Sequence, residues 1–168
     1  MREEQIRQLL ERCTTGQCSV DDAMKELKDL PYKAMDFANI DNHRELRVGY
    51  PEVVYCAGKT ADQLRTIFDY LITRNSSILA TRATPEQFAA VNDLDPSLEY
   101  NSLARTIVLR RNTRPAPEGY IAVVTAGTSD IPVAEEAAVT AEVFGNRAER
   151  IFDVGVAGIH RLFSRIDL

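Results

Sequence analysis

The chain has no basic surplus, no CxxC pair, no GxxxxGK[ST] loop and no apolar run near the roughly 20 residues that a membrane-spanning helix needs. Each absence excludes a class. With 20 basic against 25 acidic side chains, no field is available to neutralise a phosphate backbone, which argues against nucleic-acid binding. The acidic excess is concentrated in residues 116–168, where 8 acidic side chains meet 4 basic ones. Cys13, Cys18 and Cys56 are too few and too scattered for zinc, and His43 and His160 do not complete a set. They read as reduced thiols of a cytoplasmic protein. The amino terminus, Met-Arg-Glu-Glu-Gln, has no signal-peptide character. Lys59 follows Gly58 ahead of a helix cap, but a P-loop it is not.

What is present suits a globular chain. An apolar content of 45% over 168 residues fits one ordinary domain, or a small domain with part of another. There are no internal repeats or low-complexity tracts. Ile6, Leu9 and Leu10 share a face of a first helix over residues 4–13, which Gly16 breaks. Ser19 and Asp22 resemble a capping box for a second helix carrying Ala23, Met24 and Leu27, which Pro31 ends. Together they predict a helical hairpin.

Residues 39–41 and 53–56 read as extended, with Gly49-Tyr50-Pro51 as a breaker. Thr60 with Gln63 caps a helix whose buried stripe is Leu64, Ile67, Phe68, Leu71 and Ile72. Residues 77–81 form a short strand, Thr84-Pro85-Glu86-Gln87 starts another helix, and residues 104–109 form a further strand. The stretch 111–119, with two Pro and a Gly, reads as a linker. The expected organisation is therefore a helical hairpin plus small α/β domain over residues 1–115 and a second domain over 116–168.

The second domain carries the most specific signal. Residues 120–125 are a nearly continuous apolar strand, expected to be covered on both faces. Gly127-Thr128-Ser129-Asp130 then turns into a helix with Pro132 in its first turn, Glu135 and Glu136 near its positive end, and Gly145 as its stop. The next strand is read over residues 148–155, with its parallel pairing expected over 151–156. It leads to Gly155-Val156-Ala157-Gly158 and a helix from Ile159 carrying His160 and Arg161. Such strand–turn–helix corners aim N–H groups and small hydroxyls beyond the carboxyl edge of a parallel sheet, where phosphorylated ligands sit. Gly127, Gly155, Ala157 and Gly158 let backbone approach such a ligand. Read by itself, Ser129-Asp130 is first a helix cap, the commonest use of Ser-Asp ahead of a helix.

The two turns, Gly-Thr-Ser-Asp and Ala-Gly-Ile-His-Arg, resemble those of aminoimidazole ribonucleotide carboxylases and mutases, which carry Gly-Ser-x-Ser-Asp and Ser-Ala-His-Arg around the substrate. The string Thr125-Ala-Gly-Thr-Ser-Asp-Ile-Pro-Val-Ala-Glu-Glu136 is closer to the LarB branch, the synthases that start nickel-pincer nucleotide assembly. So are Gly58-Lys59-Thr60, Ala80-Thr81-Arg82 and the stretch from Asp153 to Arg161. The resemblance implies an α/β fold: a small α/β domain, then the first strand–helix–strand of a parallel, Rossmann-like (flavodoxin-like) three-layer sheet.

It also implies carboxylation of the pyridine ring of nicotinic acid adenine dinucleotide, with hydrolysis of the phosphoanhydride to release AMP, through a cysteine that adds transiently to the ring. By motif, Asp130 and His160 would be catalytic, and Gly127, Thr128, Ser129, Gly155, Val156, Ala157, Gly158 and Arg161 would bind substrate. No resident cofactor is firmly implied; CO2 or bicarbonate is the co-substrate, with Mg2+ left open. Partners implied are the dinucleotide or a related nucleotide and a symmetric homo-oligomer.

There are departures. Gly158-Ile159 replaces the mutases' Ser-Ala, which leaves the orientation of His160 open. The family's nucleophilic Cys and a third strand bearing a catalytic Glu lie beyond position 168, so the chain is expected to be an incomplete and inactive member. Arg82, Arg105, Arg110, Arg111 and Arg114 are candidates for gripping the adenylate half, or simply solvated charges. Two rivals remain: a purine-pathway aminoimidazole ribonucleotide carboxylase, and a non-catalytic nucleotide-binding or assembly module.

Overall fold

A computed structural model describes residues 3–28, 32–42, 44, 48–74, 76–111 and 117–165, and the chain divides into two compact units, residues 1–52 and 53–168. In the first unit, α1 (Glu3–Thr14) ends where Gly16 reverses the chain at a φ of 74°. Ser19 caps α2 (Val20–Lys28): its hydroxyl accepts the Asp22 amide at 3.1 Å and donates to the Asp22 carboxylate at 2.7 Å. Leu9 and Ala23 are buried, whereas Leu10 and Met24 are more than half exposed. The expected face was too wide, because two short helices seal only a narrow seam against each other. A small hairpin follows, β1 (Lys33–Met35) against β2 (Ala38–Ile40), paired Lys33 to Ile40. Pro31 lies outside the described residues.

The second unit opens with β3 (Val53–Tyr55), α3 (Ala61–Thr73) and β4 (Ile78–Thr81), β3 and β4 being parallel. After α4 (Pro85–Ala89), β5 (Glu99–Asn101) and β6 (Thr106–Leu109) complete a sheet in the order β3-β4-β6-β5, its last two pairings antiparallel. Leu64, Ile67, Phe68 and Leu71 of α3 are buried, as are Ile78, Leu79, Ile107 and Leu109 of the sheet; Ile72 is only half-buried. Both capping boxes form, Thr60 with Gln63 and Thr84 with Gln87. Gln87 does more. Its amide also donates to the carbonyls of Cys56 (3.0 Å) and Lys59 (2.9 Å), tying α4 to the turn after β3.

Then come β7 (Tyr120–Val124), a 3-10 turn (Thr128–Asp130), α5 (Ile131–Val143) and β8 (Arg147–Ile151). β7 and β8 are parallel, Tyr120 beside Arg147 through Val124 beside Ile151. A second 3-10 turn (Val156–Gly158) leads into α6 (Ile159–Phe163). The architecture is α/β, with the parallel strand–helix–strand of a flavodoxin-like layer. α5 ends in a glycine C-cap: the Gly145 amide (φ 86°) donates to Glu142 O at 3.0 Å and the Asn146 amide to Ala141 O at 3.0 Å. Its Val139 packs with Leu79, Ala104 and Val108, so this helix also covers a face of the four-stranded sheet.

Three expectations need correction. β7 is not covered on both faces: Tyr120, Ile121 and Val124 are 43–53% exposed, because only α5 and the single neighbour β8 pack on it among the described residues. The partner strand is residues 147–151: it begins within a residue of the 148–155 reading and ends early, where the expected 151–156 pairing would start, since the chain leaves the ladder at Asp153, whose φ is 59°. Glu135 and Glu136 lie beyond the first turn of α5 and are held by ion pairs rather than by its dipole. The linker read over 111–119 falls largely on residues 112–116, which lie outside the described residues.

Candidate functional site

At the carboxyl ends of β7 and β8 the chain makes two turns that are laced together. The Thr125 amide donates to Ile151 O (3.0 Å), the Val154 amide to Thr125 O (3.0 Å) and the Gly155 amide to Ala126 O (2.9 Å). The Asp153 amide adds a bond to the Thr125 hydroxyl at 3.2 Å. Parallel pairing thus continues past the strands into irregular backbone, and it fixes the first turn against the second. Gly155 is where this contact is tightest: a Cβ there would lie 2.6 Å from Ala126 O. No residue but glycine fits that approach.

On this lacing stand the motif residues. A Cβ at Gly127 would lie 3.9 Å from both the Ser129 hydroxyl and an Asp130 carboxylate oxygen, so both side chains bend back over the bare glycine. Asp130 is the residue ahead of α5, yet its side chain makes no capping bond; the helix starts instead from the 3-10 turn, with Pro132 in its first turn. Thr128, Ser129 and Asp130 are exposed. The cap reading of Ser129-Asp130 is not realised, and the carboxylate is left facing solvent.

The second turn behaves alike. A Cβ at Gly158 would lie 2.9 Å from Arg161 Nε and 3.3 Å from His160 Cε1, so these side chains fold back over the glycine. Arg161 is held there by Asp153, at 2.6 Å. Val156 is 83% exposed and Ala157 is open to solvent. The lacing brings the ten motif residues onto one rim: a hydroxyl and carboxylate on one turn, an imidazole and guanidinium on the other, with glycine backbone between. That arrangement can receive an anion or a ribose and still offer an ionisable group on either side.

A family model described as LarB/PurE-like N-terminal domain matches residues 32–112. Residues 32–112 are thus similar to the amino-terminal domain of LarB/PurE-like proteins. An uncharacterized protein of Methanocaldococcus jannaschii is 36% identical over 165 residues, covering 94% of this chain. The chain spans 64% of that relative's length.

Within the LarB/PurE-like segment, the arginines proposed from sequence as adenylate grips are mostly engaged. Arg110 pairs with Glu99 at 2.7 Å, Arg111 with Asp95, and Arg82 with Glu136 of α5 at 3.0 Å. Arg105 is exposed, with a φ of 53°, and Arg114 lies outside the described residues. A cleft of about 430 Å³ lies between β5–β6 and the α5–β8 side, lined by Tyr100, Asn101, Arg110, Glu135, Glu142 and Arg150. Its charges already pair with one another. Glu135 accepts from Arg150 at 2.6 and 3.0 Å and from Asn101 at 3.2 Å, and Arg150 also reaches Glu142 at 2.6 Å. Arg150 holds the Glu135 carboxyl below the usual carboxylate range.

Sequence reasoning missed Asp153 and Thr125 as organisers of the rim. A lone Asp before Val-Gly was the available signal, since Asp tolerates the left-handed backbone found there. Among the described residues, no three of His, Cys, Asp and Glu converge where a metal ion could be held. None of the described helices is long and apolar enough to cross a membrane.

Proposed function

We propose that the chain supplies the amino-terminal domain and the nucleotide-facing rim of a LarB-type enzyme that carboxylates the pyridine ring of nicotinic acid adenine dinucleotide and hydrolyses its phosphoanhydride to release AMP. The observation that supports this reading is the lacing of the two glycine-bordered turns, Thr125–Ile151 through Gly155–Ala126, which gathers every residue of both motifs. In this reading Gly127, Thr128 and Ser129 meet the ribose and phosphate. Gly155, Val156, Ala157 and Gly158 let the nucleotide lie against backbone, and Arg161, released from Asp153, answers its charge.

The chemistry follows from the ring. A pyridinium is electron-poor, so addition of a thiolate breaks its aromaticity and makes a ring carbon enamine-like and nucleophilic toward CO2. A carboxylate such as Asp130 can then take the ring proton, with His160 as its neighbour across the rim; departure of the sulfur restores the aromatic ring. The described thiols do not serve. Cys56 is wholly buried, with burial pushing its thiol up to about 11, and Cys13 and Cys18 lie in the helical unit. In this reading none of the three supplies the attacking sulfur.

Calorimetric titration of the 168-residue chain with the dinucleotide, AMP and aminoimidazole ribonucleotide tests the binding half. The dinucleotide should bind most tightly, and S129A or D130N should weaken it by about tenfold or more, the loss of one charge-assisted hydrogen bond. Preference for aminoimidazole ribonucleotide, or indifference to both substitutions, would refute the assignment. With bicarbonate added, the chain alone should release no AMP; measurable release would show that the sulfur is already present.

A further inference from the structure

The helical unit carries two thiols that the proposed chemistry does not use, and the turn between α1 and α2 brings the backbone that bears them together. Gly16, in the left-handed region, reverses the chain directly after α1. The amides of Gln17 and Cys18 both donate to Arg12 O, at 2.9 and 3.2 Å, and the Gly16 amide donates to Cys13 O at 3.2 Å. Cys18 is thus pinned to the residue next to Cys13. Its own thiol donates to Ser19 O at 3.4 Å, and the two side chains lie near enough that Cys18 helps to raise the Cys13 thiol. Both residues are half-buried and neither is bonded to another sulfur.

We propose that Cys13 and Cys18 form a reversible dithiol–disulfide pair that locks the turn between α1 and α2. With oxidised glutathione as the oxidant, one thiol loses its proton and attacks a glutathione sulfur, forming a mixed disulfide and expelling a glutathione thiolate. The second thiol, deprotonated in turn, attacks the protein sulfur of that adduct. The Sγ–Sγ bond forms and the second glutathione leaves. Two protons and two electrons pass from the protein, and two molecules of reduced glutathione are the products. Because the Cys18 amide is bonded to Arg12 O, beside Cys13, closing the ~2 Å Sγ–Sγ bond calls on side-chain rotation within a turn already formed. In the reduced state the Cys13 thiol is held above its ordinary range, first by burial and then by Cys18; Arg12 on α1 opposes this and Glu26 on α2 adds to it.

The experiment is incubation of the full chain with oxidised glutathione, followed by intact-mass and peptide mass spectrometry. The chain should become lighter by two hydrogens, with Cys13 and Cys18 joined in one peptide, Cys56 unmodified, and full reversal by dithiothreitol. Proteolysis within residues 14–17 should slow about tenfold in the oxidised chain, as expected when a short loop is closed. C13S and C18S should each retain one glutathione instead. A stable glutathione adduct on the unsubstituted chain, an unchanged mass, or a bond involving Cys56 would each overturn the proposal.

Discussion

The backbone amide of Gly155 lies 2.9 Å from the carbonyl oxygen of Ala126, and a Cβ on Gly155 would lie 2.6 Å from that same atom. Gly155→Ala therefore cannot be absorbed by a side-chain rotation; backbone must move, and the two turns part. A cost of about 2–3 kcal/mol is expected, seen as a fall in Tm of roughly 10 °C in thermal unfolding. Gly127→Ala is the contrast. Its new methyl meets nothing nearer than 3.9 Å, so stability should stay within about 0.5 kcal/mol while the space under Ser129 and Asp130 is filled. Nucleotide affinity should fall with stability intact.

Glu135 is buried, and its pairing with Arg150 holds its carboxyl below the ordinary value of about 4.3. A depressed carboxylate contributes stability that is present above the unfolded value and lost as pH falls through the folded one. Urea unfolding from pH 7 to 3 should show stability dropping below about pH 4.3, and E135Q should flatten that limb. At pH 7 the substitution should cost about 1–2 kcal/mol, since Arg150 keeps Glu142. Equal acid sensitivity in E135Q would exclude this carboxylate as the cause.

Gln63 and Gln87 occupy the same position of two capping boxes, but only Gln87 also binds the Cys56 and Lys59 carbonyls. Gln63→Ala should cost about 0.5–1 kcal/mol and Gln87→Ala about 2 kcal/mol or more, by denaturant midpoint. Similar costs would mean that the longer-range bonds contribute nothing.

Cys56 is fully enclosed, with its thiol pushed by burial to about 11. At pH 8 iodoacetamide should label Cys13 and Cys18 of the native chain, and Cys56 only after denaturant is added. Prompt labelling of Cys56 in the native chain would show that the β3 end opens readily.

The parts legible in sequence were those written by neighbours in the chain. Thr60 with Gln63, Thr84 with Gln87, Gly16 and Gly145 act within a few residues, and all stand where the pattern put them. The start of β8 was legible but its extent was not, because Arg147-Ala-Glu-Arg-Ile is a polar-rich segment whose strand character comes from pairing with β7. The apolar Val154 drew the expected pairing toward 151–156; it is buried and its amide meets the Thr125 carbonyl, but beyond the end of the strand. β5 and the first strand of the β1–β2 hairpin, each three residues long, carry too little periodicity to be seen. The motif residues could be named, but not that Asp130 would forgo capping or that Asp153 would hold Arg161.

Helix α5 has a double allegiance: it is the crossover between β7 and β8, and it also seals Leu79, Ala104 and Val108 of the neighbouring sheet. Arg82, at the end of β4, grips the same helix through Glu136, six residues from Asp130. A displacement at either sheet is therefore delivered to the start of that helix, and with it to the hydroxyl and carboxylate of the rim. The amino-terminal sheet serves as an anvil for the site, so substitutions deep within it should be felt in ligand affinity without touching any ligand.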